Sequence, residues 1–91
     1  MTDARLELND GLGRRVIPLD KPQLTIGRRT ENDVRLTGSD VSRDHAEIVV
    51  EGGAFLLKDR GSRYGTFVNE AQITEHKLVS GDRIQFGRAA G

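Results

Sequence analysis

The chain has 91 residues, no cysteine, and 14 basic residues against 14 acidic ones. This length supports one domain, residues 1–91, with a thin core, and the lack of cysteine excludes disulfide and thiolate-zinc staples. A net charge of zero argues against a general nucleic-acid binder, and no apolar run reaches membrane-spanning length.

The N-terminus, Met1-Thr2-Asp3-Ala4, has neither the basic nor the apolar region of a secretory signal. The expected compartment is the cytoplasm, with neither nucleic acid nor membrane as a partner. Among the basic residues only Lys21, Lys58 and Lys77 are lysines; eleven are arginines. Arginine suits forked contact with phosphate or carboxylate. A high-GC coding sequence would favour the same excess.

No helical period of useful length runs along the chain, and short alternating apolar runs are split by turn residues. Leu6 and Leu8 alternate with Arg5 and Glu7, and Asp10-Gly11-Leu12-Gly13 turns the chain. Val16 to Leu19 reads as a second strand, confined by Pro18 to an edge or bulge. Leu24 with Ile26, then Val34 with Leu36, mark a third and a very short fourth. Ala46, Ile48 and Val50 form a half-buried strand. Gly52-Gly53 turns it into a return strand through Phe55, Leu56 and Leu57, because glycine accepts positive φ at both central positions. Phe67-Val68, Ile73, and Leu78-Val79 give further short pieces, and Ser80-Gly81-Asp82 leads into Ile84 and Phe86. Strands and turns at this frequency predict a β-sandwich or barrel.

Segments 28–33 and 37–44 are polar and too long for tight hairpins, and such loops on a rigid sandwich carry function. Arg28, directly after Gly27, can aim a guanidinium at a phosphate, although Gly-Arg alone is also an ordinary surface turn. Ser42 can supply a hydroxyl and a backbone N–H to an anion. His45 can be a base, a metal ligand or an internal strut. The strut is favoured: there is no Gly-x-Ser-x-Gly elbow, the Ser/His/Asp set is packed into one loop, and His76 is the only other histidine. Ser62, Arg63 and Thr66 around Gly65 form a further donor loop, or a plain turn. No nucleotide P-loop is present. The residues favour a binding module over an enzyme, with no catalytic residue, metal or cofactor.

Taken in order, Ile26-Gly27-Arg28, Asn32-Asp33-Val34, Val41-Ser42-Arg43-Asp44-His45-Ala46, Gly65-Thr66-Phe67-Val68-Asn69 and Leu78-x-x-Gly81-Asp82-x-Ile84-x-x-Gly87 resemble a forkhead-associated (FHA) domain. Each motif is weak alone; their order and spacing together are specific. The resemblance implies an all-β, two-sheet sandwich of the SMAD/FHA-like type, with about ten or eleven short strands. It implies a module that recognises phosphothreonine-containing proteins or peptides in Ser/Thr kinase signalling.

The family pattern places Arg28, Ser42 and Arg43 at the phosphate, and Arg63 and Tyr64 at the peptide. It gives Gly27, His45, Gly65, Thr66 and Asn69 to loop architecture. The family usually has asparagine at position 64, whose amide clamps the peptide main chain; Tyr64 offers one hydroxyl and no amide. The family also has one more strand, between the first and tenth, beyond Gly87. Only Arg88-Ala89-Ala90-Gly91 follow here. The chain is therefore expected to be the N-terminal module of a longer signalling protein, with a sheet edge open to strand addition or self-association. The alternative function is a phosphate-independent assembly module.

Overall fold

The computed structural model describes residues 5–10 and 13–87. The described residues contain ten strands and no helix. These are β1 (Arg5–Asp10), β2 (Gly13–Pro18), β3 (Gln23–Gly27), β4 (Val34–Arg35), β5 (Ala46–Glu51), β6 (Ala54–Asp59), β7 (Thr66–Val68), β8 (Ala71–Ile73), β9 (Glu75–Lys77) and β10 (Ile84–Phe86).

They form a five-stranded sheet in the order β4-β3-β5-β6-β9, a three-stranded sheet β10-β7-β8, and the hairpin β1-β2. The expected sandwich is thus built from three hydrogen-bonded sets. One core joins them: Leu6 from the hairpin, Leu24, Ile26, Ala46, Ile48 and Leu57 from the larger sheet, and Val68 and Phe86 from the smaller. Alternation drives this. Along β3 and β5 every second residue, Leu24, Ile26, Ala46 and Ile48, turns inward. Register matches these positions: Ile26 pairs with Ala46, and Leu24 with Ile48, which in turn pairs with Leu57.

One strand assignment changes, and one apolar strand position lies outside the core. Val50 continues the apolar alternation of β5 but is 39% exposed, because the inward-facing row ends at Ile48 near the sheet margin. Leu78-Val79 is not a strand; β9 is the charged segment just before it, Glu75–Lys77, paired with β6. Backbone pairing depends on N–H and C=O groups, so a polar edge strand satisfies it as well as an apolar one. Val79 lies outside the core at 62% exposure.

The Gly52-Gly53 turn forms as expected, with φ of 57° and 81° between the paired residues Glu51 and Ala54. The first hairpin closes with Asp10 opposite Gly13. Its two tip residues, and residues 88–91, where the family's last strand was expected to be missing, lie outside the described residues.

Candidate functional site

Strand register brings three loops together. Ile26, near the end of β3, pairs with Ala46 at the start of β5, and Ala46 pairs with Asp59 at the end of β6. The loop leaving β3, the loop entering β5 and the loop leaving β6 therefore emerge side by side. The ladder continues past the strands: His45 N–H donates to the Ile26 carbonyl at 2.9 Å, and Arg60 N–H to the His45 carbonyl at 2.9 Å. Arg28 N–H then donates to the Ser42 carbonyl at 3.0 Å, fixing Arg28 beside Ser42.

Gly27 makes this contact possible. A Cβ there would lie 2.1 Å from the Arg43 carbonyl oxygen and 2.7 Å from Asn32 Nδ2. Asn32 fills the space beside it, donating from Nδ2 to the Arg43 carbonyl at 2.8 Å. The parallel β3–β4 pair and the Arg35 Nε donation to the Arg28 carbonyl at 3.1 Å hold the other side.

His45 is fully buried and bonded at both ring nitrogens. Ser42 N–H donates to Nδ1 at 3.1 Å. That acceptor role assigns the proton to Nε2, which lies 2.8 Å from the Gly65 carbonyl oxygen and donates to it. Phe86 packs edge-on against the ring, with centroids 5.7 Å apart and planes at 89°. The imidazole thus ties the Ser42 loop to the Gly65 loop, and both of its nitrogens are taken up inside the protein.

Ser42 completes a second tie: its Oγ accepts the Arg63 N–H at 3.0 Å. Among the described residues the hydroxyl proton has no protein acceptor, so it is available to an anion. The third loop is organised from within by Asp59. One carboxylate oxygen accepts the Gly61 and Ser62 amides at 3.0 and 3.1 Å; the other accepts the Ser62 hydroxyl and, at 2.7 Å, the Thr66 hydroxyl. Ser62 Oγ in turn accepts the Gly65 N–H at 3.0 Å. Burial pushes the Asp59 carboxyl up, but these donors outweigh it and hold its pKa below the ordinary 3.8. Gly65 has φ of 90°, which favours glycine.

Four arginines rim the cluster. Arg28, Arg29, Arg43 and Arg63 are exposed. Arg29 Nε lies 3.7 Å from Asp44 Oδ2, and the Arg63 guanidinium carbon sits 5.4 Å from the centroid of the Tyr64 ring. Among the described residues no carboxylate pairs with Arg28, Arg43 or Arg63. The site is a shallow cationic rim over a braced backbone.

Register and bonding bring together nine of the ten residues singled out in the sequence: Gly27, Arg28, Ser42, Arg43, His45, Arg63, Tyr64, Gly65 and Thr66. Asn69 is the exception. It sits at φ 51° in the turn joining β7 to β8, at the other end of β7 from Gly65, and bonds Asp82 and the Arg83 N–H at 2.9 and 3.0 Å. Sequence reading missed Asp59 and gave Asn32 no role. The Asp-x-x-Ser spacing of Asp59 and Ser62, which suits a side chain capping its own turn, was the available signal. No group of three metal-ligating side chains is present among the described residues, and no helix there is long and apolar enough to cross a membrane.

Comparison with known proteins agrees with this architecture. The FHA domain family model matches residues 24–87. The glycogen accumulation regulator GarA of Mycolicibacterium smegmatis is 41% identical over 70 residues, 77% of this chain and 44% of GarA. The oxoglutarate dehydrogenase inhibitor of Corynebacterium diphtheriae is 43% identical over 70 residues, 77% of this chain and 49% of the inhibitor. The chain thus spans less than half the length of these two relatives. The crystal structure of the FhaA FHA domain complexed with the intracellular domain of Rv3910 superimposes with a TM-score of 0.82 at 41% identity, covering 91% of this chain and 90% of that one. Mycobacterium tuberculosis EmbR, in complex with a low-affinity phosphopeptide, superimposes with a TM-score of 0.80 at 33% identity, covering 92% of this chain and 24% of EmbR. On the family match, the sequence identity and the shared fold together, this chain belongs to the FHA domain family.

Proposed function

We propose that this domain binds phosphothreonine-containing proteins or peptides in Ser/Thr kinase signalling, and that it acts by binding rather than by catalysis. The observation that carries this reading is the cationic rim without carboxylate partners, Arg28 and Arg43, set beside the free Ser42 O–H. A phosphothreonine carries about −1.5 to −2 charge at neutral pH. Arg28 in forked contact, the Ser42 hydroxyl and Arg43 match its oxygens. Charge-assisted hydrogen bonds contribute roughly 1.5–3 kcal/mol each, so two or three supply about 3–9 kcal/mol. Micromolar binding needs about 8 kcal/mol, so the site suits reversible, phosphate-dependent contact.

Relatives support the same reading. One structural neighbour, again with a TM-score of 0.82, comes from an analysis of phosphothreonine-dependent FHA domain interactions. The curated relatives are a regulator and an inhibitor. In this reading His45, Gly65 and Thr66 are supports, Arg63 and Tyr64 face the peptide, and the domain is one module of a longer cytoplasmic protein. An oriented phosphopeptide library screen tests it: enrichment confined to phosphothreonine peptides is expected, and equal retention of unphosphorylated peptides would contradict it.

One observation favours a second reading. β10 pairs with β7 along one edge, and no described strand pairs with its other edge. Assembly by strand addition there would ignore phosphate, and matched phosphorylated and unphosphorylated peptides separate the two readings.

A further inference from the structure

Charge balance at the rim points beyond the phosphate. Three guanidinium groups, Arg28, Arg43 and Arg63, lack a carboxylate among the described residues, whereas a phosphothreonine supplies about two negative charges at most. One positive charge is left over. It belongs to Arg63, because Arg28 is fixed beside Ser42 through the main chain and Arg43 directly follows Ser42, while Arg63 is set apart on an aromatic ring.

Tyr64 determines how that charge is presented. The Arg63 N–H is held by Ser42 Oγ at 3.0 Å, which fixes where its side chain starts. The guanidinium then lies over the Tyr64 ring, 5.4 Å from its centroid. A guanidinium on a ring face keeps its N–H donors free at the edges and loses part of its rotamer freedom before ligand arrives. Less ordering remains to oppose binding.

Resting on the phosphothreonine reading, we propose that Arg63, braced by Tyr64, is a specificity-determining residue that selects a carboxylate side chain flanking the phosphothreonine. Tyr64 thus contributes by fixing a cation that reads the peptide's charge. A forked guanidinium–carboxylate contact at an exposed site is worth about a fivefold gain in affinity.

The test measures fluorescence anisotropy with three versions of one peptide: phosphothreonine with an acidic flank, phosphothreonine with that acid changed to its amide, and the unphosphorylated acidic peptide. The quantity read is the acid-to-amide affinity ratio. About fivefold is expected for the wild type, falling toward one in Arg63→Gln and in Tyr64→Leu. Tyr64→Phe, which keeps the ring, is expected to retain it. Arg83→Gln is a control of equal net charge: Arg83 follows Asp82 near the β7–β8 turn and is expected to leave the ratio unchanged. Thermal melts confirm that each variant is folded. A ratio near one in wild type, or a fivefold ratio surviving in folded Arg63→Gln, overturns the proposal. Loss of the ratio in Arg83→Gln also overturns it, since net charge would then be the cause. If neither phosphopeptide binds above the unphosphorylated control, the phosphothreonine reading itself fails, and that outcome is distinct from a ratio of one between two binding phosphopeptides.

Discussion

His45 Nε2 donates to the Gly65 carbonyl oxygen at 2.8 Å, and this one bond joins loops 20 residues apart in the chain. The opposite ring nitrogen is taken by the Ser42 amide, so the imidazole is a crosspiece rather than a free acid or base. Substitution by alanine would leave the half-buried Ser42 N–H without its acceptor, leave the Gly65 carbonyl with the Gly87 N–H alone, and remove the edge-on contact with Phe86. The orphaned N–H costs about 1–3 kcal/mol, and the lost ring packing adds to it. His45→Ala is expected to lower Tm by roughly 10 °C or more, at about 4–8 °C per kcal/mol for a domain this size, and to weaken phosphopeptide binding with it. A melt showing unchanged Tm alongside lost affinity would point instead to direct contact with ligand.

Gly27 is required by space rather than by backbone angle. The new methyl of Gly27→Ala would meet backbone, the Arg43 carbonyl oxygen at 2.1 Å, which cannot swing aside as a flexible side chain would. Overpacking of this kind costs about 1–3 kcal/mol. Differential scanning calorimetry should show a clear fall in Tm. Because Arg28 N–H is tied to the Ser42 carbonyl next door, affinity should fall too. Wild-type Tm in this variant would mean that the β3 end and the Ser42 loop are not in close contact.

Asp59 predicts an acid dependence of stability with a definite sign. Its folded-state pKa is held below 3.8, as are those of Asp33, beside Lys21, and Asp82, which accepts the Val79 amide. A depressed carboxylate contributes stability that is present above its unfolded value and lost as pH falls through its folded value. Tm should therefore stay level above about pH 5 and drop once pH passes below roughly 4. Asp59→Asn should start lower and show a shallower acid drop. An equally steep drop in that variant would assign the effect to other carboxylates.

Most of the fold was legible because inward-facing residues alternate cleanly. Leu24, Ile26, Ala46 and Ile48 are paired by register, as the period of two implied. The Gly-Gly hairpin was legible for an equally local reason, since both central residues take positive φ. β9 was not, because Glu75-His76-Lys77 has no apolar signature and its pairing with β6 comes from the main chain alone. At the site, glycine, arginine and serine could be singled out by chemistry and order. Asp59 had a local signal only in its spacing to Ser62; its bond to Thr66 had none, because that depends on the loop folding back to bring a residue seven positions on against the carboxylate. Asn69 was assigned to loop architecture by the family pattern, and the loop it bonds is the turn at the other end of β7 from Gly65.

The most direct measurement is a calorimetric titration of wild type and Arg28→Ala with one phosphothreonine peptide and its unphosphorylated twin. The Arg28 side chain is exposed and without a carboxylate partner among the described residues, and the backbone bonds of Arg28 survive the change to alanine. The predicted result is phosphate-dependent binding by wild type and a loss of roughly 100-fold or more in the variant, with Tm nearly unchanged. Binding by Arg28→Ala equal to that of wild type, or equal binding of both peptides by wild type, would contradict the account.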